Sequence, residues 1–312
     1  KMNTLIYSGC QGFALTENIA GQTIMPELWE HNLKALRIYD ASPEELLAAT
    51  KTADVIIASP TPADWRNDKR LSIEYILQQK RQEAKAIILP RMDCAFYYFD
   101  YGHLYLDDRL ILEPTSLHFR GLVDCYMRGE GVDCFLAECV NNVDYCTDYT
   151  EECARQIAAL SSHEESLKKL QGVNGNTTII EFSKAIQEHR NNNLLSHTHN
   201  HPTSFFLSWL AYYLCDEIGL DRNKVNPHVS PFMQPKGGTG QLPLYASVQK
   251  HVSFDCAKYP PDFREYNLGH VGIREIANWY LQSYEQQNLR EKHKDTYKKT
   301  LTERVSSEGK CY

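Results

Sequence analysis

Thr4-Leu5-Ile6-Tyr7-Ser8-Gly9-Cys10-Gln11-Gly12 is an apolar, β-type run that stops at Ser-Gly and meets a cysteine at once. The residues after it, Gly12-Phe-Ala-Leu-Thr-Glu-Asn-Ile-Ala20, read as the start of a helix. A strand that feeds a helix through a tight glycine turn puts the turn at the carboxyl edge of a sheet, where α/β proteins keep their ligands. Cys10 is then expected beside the positive end of a helix, whose field favours a nucleophilic thiolate. The plainer reading of the same residues is a buried, inert thiol in a strand-helix turn.

Working outward, the first part of the chain alternates apolar runs with helical patterns. Strands are expected at Thr4–Tyr7, Ala35–Tyr39, Asp54–Ala58 and Ala86–Leu89. Ser42-Pro43-Glu44-Glu45 has the N-cap, the proline and the acidic first turn of a helix start. Leu71 to Glu83 carries the apolar spacing of an amphipathic helix. This alternation predicts an α/β fold: a parallel sheet flanked by helices, of the SGNH or flavodoxin-like kind, in residues 1–148. From 149 to 312 the character becomes mainly helical, with amphipathic segments at Thr150–Leu160 and His163–Leu170 and another helix expected from Thr177 to His189. The two parts are expected to pack as one body.

Composition narrows the function. With 312 residues, 42% hydrophobic and 23% charged, the chain is that of a globular protein. A net charge of -7 argues against a general nucleic-acid binder, which presents a basic face. The apolar run Phe205 to Cys215 is too short to span a bilayer. The chain opens Lys1-Met2 and enters a strand almost directly, without a signal-peptide pattern. Its ten cysteines then suggest reduced thiols and a cytoplasmic location. Cys134, Cys139, Cys146 and Cys153 cluster at spacings that match no common zinc pattern and read as structural.

Two turns should share the sheet edge with Cys10. One is Ser59-Pro60-Thr61-Pro62-Ala63-Asp64-Trp65-Arg66, and the other is Pro90-Arg91-Met92-Asp93. Arg66, Lys69, Arg70 and Arg91 are therefore candidates to meet phosphate oxygens, against the alternative of solvated surface charge. Tyr97-Tyr98-Phe99-Asp100-Tyr101-Gly102-His103 offers aromatic faces suited to sugar rings, or to plain core.

The second informative stretch is His197-Thr198-His199-Asn200-His201-Pro202-Thr203, followed by a long apolar helix from Ser204 to Ile218 with Gly219 as its C-cap. Further on, Pro235-Lys236-Gly237-Gly238-Thr239-Gly240-Gln241 lacks the spacing of a P-loop and reads as a mobile loop able to close over a ligand. Gly269–Tyr284 reads as a terminal helix, with a polar tail that frays from about Glu285.

A cysteine at a strand-helix turn and a histidine just before a distant helix are candidates for a nucleophile-base pair. The histidine takes the thiol proton, and the thiolate attacks a carbonyl. His201, with His199 beside it, is the candidate base. Gln11, or backbone N–H groups at Cys10–Gly12, are candidate oxyanion donors. Hydrolases of the Ser-Gly-Asn-His type carry an aspartate three residues before the histidine. Here that position is Thr198. The orienting group is therefore expected elsewhere, at Asn200 or a backbone carbonyl.

Taken together, these motifs resemble the WcbI family, assigned to bacterial capsular polysaccharide biosynthesis as acetyltransferases. Ser8-Gly9-Cys10-Gln11 is similar to that family's Gly-Asn-Cys-Gln opening. Ser59-Pro60-Thr61 with Trp65-Arg66 is similar to its Gln-Pro-Ile and Tyr-Arg segment. Ile88-Leu89-Pro90 with the aromatics after it, and His201-Pro202-Thr203 before a long helix, also fit. The chain departs from the pattern at Ser8-Gly9 and at Ser59, and its Gly-Tyr-x-Pro-like segment is not recognisable. The resemblance implies coenzyme A or acetyl-CoA as co-substrate and O-acetyl transfer to a hydroxyl of a sugar or nucleotide-sugar precursor. Arg66, Arg91 and Lys69 would then meet the coenzyme A phosphates.

Three alternatives stand beside this reading. A carbohydrate esterase or deacetylase would use the same Cys/His site with water as acceptor. A zinc-dependent hydrolase would use His197, His199 and His201 as a His-x-His-x-His face, although no metal is expected at the Cys10 site. A sugar- or nucleotide-binding protein would keep the fold without the chemistry.

Overall fold

The protein's structure, a computed structural model, describes residues 1–233, 240–263, 268, 271–295 and 297. The central sheet contains five parallel strands: β1 (Asn3–Ser8), β2 (Asn32–Arg37), β3 (Val55–Ala58), β4 (Lys85–Ile88) and β5 (Thr177–Ile179). Their order across the sheet is β2-β1-β3-β4-β5. This is the flavodoxin-like order of doubly wound folds, and its direction of winding reverses between β1 and β3. The α/β reading is thereby shown.

β3 and β4 are buried almost throughout, while β2 at the sheet edge is mostly exposed. Runs such as Val55-Ile56-Ile57-Ala58 lose water on both faces, which is why they read as unbroken apolar stretches rather than as alternation. Leu5, Tyr7, Ile56, Ala86 and Ile88 form one buried cluster with Leu46, Ile73, Ile76 and Leu77. The last four come from helices α2 (Pro43–Thr52) and α3 (Ile73–Gln79). The expected cap at Ser42 is in place, its Oγ accepting from Glu45 N–H at 3.2 Å; the helix expected over Leu71–Glu83 starts only after Ser72, whose Oγ accepts from Tyr75 N–H at 3.3 Å.

Two expectations for the second half are corrected. Thr177–His189 is not one helix. Thr177-Thr178-Ile179 is the fifth strand, paired in register from Ala86↔Thr177 to Ile88↔Ile179, and a helix follows only at Phe182–His189. Three β-branched residues are too few to display a period, yet they suit a half-buried pleated position. The two segments expected at Thr150–Leu160 and His163–Leu170 form a single helix, Tyr149–Leu167, continued by a 3₁₀ turn. The long helix Ser204–Ile218 forms as expected: Thr203 accepts from Phe206 N–H, and Gly219 ends it at φ 74. Among the described residues, no helix is long and apolar enough to cross a membrane.

The chain divides into two compact units. One contains Lys1–Cys94 with the described residues of Thr150–Gly240; the other contains the described residues of Ala95–Tyr149 and from Gln241 onward. The units interleave along the chain, the second intervening between Cys94 and Thr150.

The second unit is built around Asp100. This buried carboxylate accepts from Gly121 N–H (3.0 Å), Tyr145 Oη (2.8 Å) and Tyr245 Oη (2.8 Å). Burial pushes its pKa up to about 6 against the pull of those donors. Phe96, Tyr97 and Tyr98 are buried here, so the aromatic stretch from 97 to 103 is chiefly core rather than a sugar-stacking face. The terminal helix spans Ile273–Gln286. Residues 234–239 of the glycine-rich loop, Gly269 at the expected helix start, and the tail from 298 lie outside the described residues.

Candidate functional site at the carboxyl edge of β1

β1 ends at Ser8, and Cys10 opens α1 (Cys10–Phe13), with Gly9 as the extended N-cap. α1 is a single turn, shorter than its sequence pattern suggests. The Cys10 side chain is exposed and reduced. Its first intrahelical bond runs from Phe13 N–H to Gly9 O. The N–H groups of Cys10, Gln11 and Gly12 precede that bond, which is where a helix offers donors to an anion.

The turn is tight for a reason that can be located. A Cβ on Gly12 would lie 2.4 Å from Ser8 Oγ and 3.3 Å from Leu89 Cδ1. Glycine is therefore required for the close approach of α1 to the strand ends. Ser8 Oγ in turn shares a hydrogen bond of 2.8 Å with Ser59 Oγ, which joins the ends of β1 and β3 at the reversal of the sheet.

Gln11 connects three segments. Its Nε2 donates to Met92 O at 2.8 Å and to Asn200 O at 3.1 Å, and its Oε1 accepts from Met92 N–H at 3.1 Å. The Cys10 turn, the loop after β4 and the histidine segment are thus held together by one carboxamide. Cys94 N–H reinforces the arrangement by donating to His199 O at 2.6 Å. Both amide hydrogens of Gln11 are thereby engaged.

The histidine segment is a compact loop closed by His197 N–H donating to His201 O at 2.8 Å. Ser196 Oγ donates to His201 O (2.9 Å) and to Thr198 O. His201 Nδ1 lies 3.0 Å from Thr198 Oγ1, and its ring stacks on Phe232, centroids 4.6 Å apart at 25°. The hydrogen-bond partner of the His201 ring is thus the hydroxyl of Thr198, the position where Ser-Gly-Asn-His-type hydrolases carry an aspartate, whereas Asn200 or a backbone carbonyl was expected. Burial, with His199 and His197 nearby, pushes the His201 pKa down to about 4. The imidazole is neutral at ordinary pH, as a proton acceptor must be. His197 is buried, with Nε2 3.3 Å from Ser230 Oγ. His197 and His201 thus turn to different partners, and neither they nor His199 belong to a group of converging metal ligands among the described residues. Asn200 Oδ1 is buried without a hydrogen-bond partner.

The basic candidates follow β3 and β4. Arg66 is exposed, takes the left-handed φ of 51, and donates from Nη1 to Ala41 O at 2.8 Å. A non-glycine residue in that region is a strained one, the kind that clusters at ligand sites. Lys69 is exposed in the 3₁₀ turn Lys69–Leu71. Arg91 is exposed, 3.6 Å from Asp93. Arg70 differs, since Asp68 and Glu44 occupy its guanidinium. Sequence reading passed over Tyr39 as a site residue. It is 60% exposed, and a Cβ on Gly9 would lie 3.5 Å from its Oη. Trp65 flanks it at 6.1 Å. Tyr39 stood as the last residue of the strand expected at Ala35–Tyr39, whereas that strand ends at Arg37 and leaves Tyr39 in the turn beyond it.

The sequence model of a family described as "Polysaccharide biosynthesis enzyme WcbI" matches residues 3–223, which include the Cys10 turn, the loops after β3 and β4, and the histidine segment. The chain belongs to the WcbI family. Its fold agrees with a solved structure of WcbI, described as a novel polysaccharide biosynthesis enzyme, in the native form without a disulfide bond between coenzyme A and one of its cysteines. The two share 16% identity with a TM-score of 0.65, and the match covers 91% of each chain. At that identity the likeness speaks for the fold. No curated protein matches the chain. As a WcbI-family member, the protein is an enzyme of polysaccharide biosynthesis.

Proposed function

We propose that this WcbI-family enzyme is a coenzyme A-dependent acyltransferase that moves an acetyl group to a sugar hydroxyl, with Cys10 and His201 as its reacting pair. The observation that carries the reading is the Gln11 clamp, which ties the exposed Cys10 turn to Asn200, the neighbour of His201. That a WcbI structure is characterised by the state of a coenzyme A–cysteine bond supports coenzyme A as the co-substrate.

In this reading His201 accepts the Cys10 proton, and the thiolate attacks the thioester carbonyl of acetyl-CoA. The oxyanion is met by the free N–H groups of the α1 turn. The C–S bond to coenzyme A breaks, its sulfur takes the proton from His201, and Cys10 carries the acetyl group. One thioester replaces another, so the exchange is close to thermoneutral. His201 then removes the proton of the sugar hydroxyl as that oxygen attacks the acetyl carbon, and Cys10 leaves as the thiol. Arg66, Lys69 and Arg91 suit the phosphates of coenzyme A. Tyr39 offers an exposed aromatic face for the sugar ring. Asn200 Oδ1 is an acceptor suited to an O–H or N–H of a bound substrate.

The test is a calorimetric titration with coenzyme A and acetyl-CoA, followed by turnover measurements on Cys10→Ala and His201→Ala. Binding, with turnover lost by orders of magnitude in both variants, supports the reading. Absence of coenzyme A binding moves the protein to the esterase alternative, and near-normal rates in either variant remove that residue from the chemistry.

A further inference from the structure

In the second unit, the helix Arg120–Met127 ends at Arg128, and Gly129 reverses the chain at φ 86. A second helical run, Val132–Phe135 continued by Leu136–Val140, follows at once. Cys125 comes from the last turn of the first helix. Glu130 lies in the turn just before the second run, and Cys134 and Glu138, four residues apart, fall on one side of that run. The two sulfurs and two carboxylate oxygens all lie within 4.8 Å of one another.

These donors already converge on a cation. Arg128 Nη2 lies 2.6 Å from Glu130 Oε2, 2.5 Å from Glu138 Oε2, 3.0 Å from Cys134 Sγ and 3.5 Å from Cys125 Sγ. Cys134 Sγ also donates to Glu130 Oε2 at 2.9 Å, and the two sulfurs approach to 3.0 Å while both remain thiols. A single positively charged nitrogen therefore marks the point at which four potential ligands meet.

We propose that Cys125, Glu130, Cys134 and Glu138 form a binding site for a thiophilic divalent cation of the zinc class. Two thiolates with two oxygen ligands suit that borderline-soft ion. With metal–sulfur bonds of about 2.3 Å and metal–oxygen bonds of about 2.0–2.2 Å, the ligand atoms of a tetrahedral site stand roughly 3.3–3.8 Å apart. The present group contracts by about 1 Å at its widest, while the two sulfurs, now 3.0 Å apart, open to roughly 3.8 Å. Arg128 is half exposed, and the ion takes its place while the guanidinium moves toward solvent. The step balances: the cation bonds both sulfurs, and the two thiol protons pass to solvent. The linear spacing of the cysteines hides such a site, because half of its ligands are glutamates and its geometry depends on the Gly129 reversal.

The full chain, reduced and freed of metal, would be titrated with cobalt(II) and then with zinc. The expected result is one equivalent of cobalt with a thiolate-to-cobalt charge-transfer band that zinc displaces. Cys134→Ser, half-exposed and so compatible with folding, should lose the band at an unchanged metal-free melting temperature. Arg128→Gln should bind roughly tenfold tighter, since a competing cation is removed. A band that is absent, or that persists in Cys134→Ser, overturns the proposal. So does weaker binding in Arg128→Gln, or an intact mass showing a Cys125–Cys134 disulfide in place of metal uptake.

Discussion

Thr198 Oγ1 sits 3.0 Å from His201 Nδ1, in the position where hydrolases of the Ser-Gly-Asn-His type carry a carboxylate. The hydroxyl orients the ring without adding charge, and this sets what His201 can do. A carboxylate would favour the imidazolium; a hydroxyl in a buried loop does not. Replacing Thr198 by Val removes one neutral hydrogen bond, about 1 kcal/mol, and should slow turnover roughly fivefold. Thr198→Asp should instead raise the pKa of His201, measurable by NMR titration of the imidazole. An unmoved pKa in Thr198→Asp would show that the contact does not govern the ring.

The acid limb of the pH–rate profile is expected near pH 4, where His201 gains its proton, and not near 6.5. The stability consequence has a definite sign. The folded pKa is below that of the unfolded chain, so between about 6.5 and about 4 the unfolded state binds more protons. His201 therefore reduces stability progressively as pH falls through that window. Thermal melts of the native protein and His201→Phe across it should converge toward acid if the native protein loses more, and parallel curves would contradict the assignment.

Gly12→Ala should lower stability by about 1–3 kcal/mol, the usual cost of overpacking, since the new methyl would meet Ser8 Oγ and Cβ at 2.4 and 2.5 Å. Adding Ser8→Gly should recover part of the loss. The melting temperatures of the single and double variants give the answer, and no recovery would place the strain elsewhere.

Gln11→Ala removes three hydrogen bonds that join the Cys10 turn to Met92 and Asn200. Turnover should fall by at least tenfold while the exposed Cys10 still reacts with a small alkylating agent, because the pair is separated rather than destroyed. Loss of alkylation together with turnover would mean that Gln11 acts on Cys10 itself.

Arg66→Ala should weaken coenzyme A binding by about 1.5–3 kcal/mol, the range for a charged hydrogen bond. Arg91→Ala should cost less, because Asp93 already shares that charge. Calorimetry at two salt concentrations separates the two, and equal small effects would take both residues out of the phosphate site.

Read alone, the sequence determined the parts whose signal is local. Unbroken apolar runs such as Val55–Ala58 must be buried strands, Ser42-Pro43 must begin a helix, and Gly219 must end one, since each follows from burial or backbone geometry within a few residues. The strand-glycine-cysteine turn and the histidine stretch were legible in the same way. Only the tertiary structure decided the rest. Thr177–Ile179 became a strand because β4 offered an unpaired edge, Tyr97 and Tyr98 became core because Asp100 gathers its partners there, and Thr198 became the partner of His201 because the loop folds back on itself. The four side chains around Arg128 likewise meet only after Gly129 turns the chain. Each of these depends on a contact between residues that carry no mark of each other in linear order, and the energy that selects it appears only when the chain has closed.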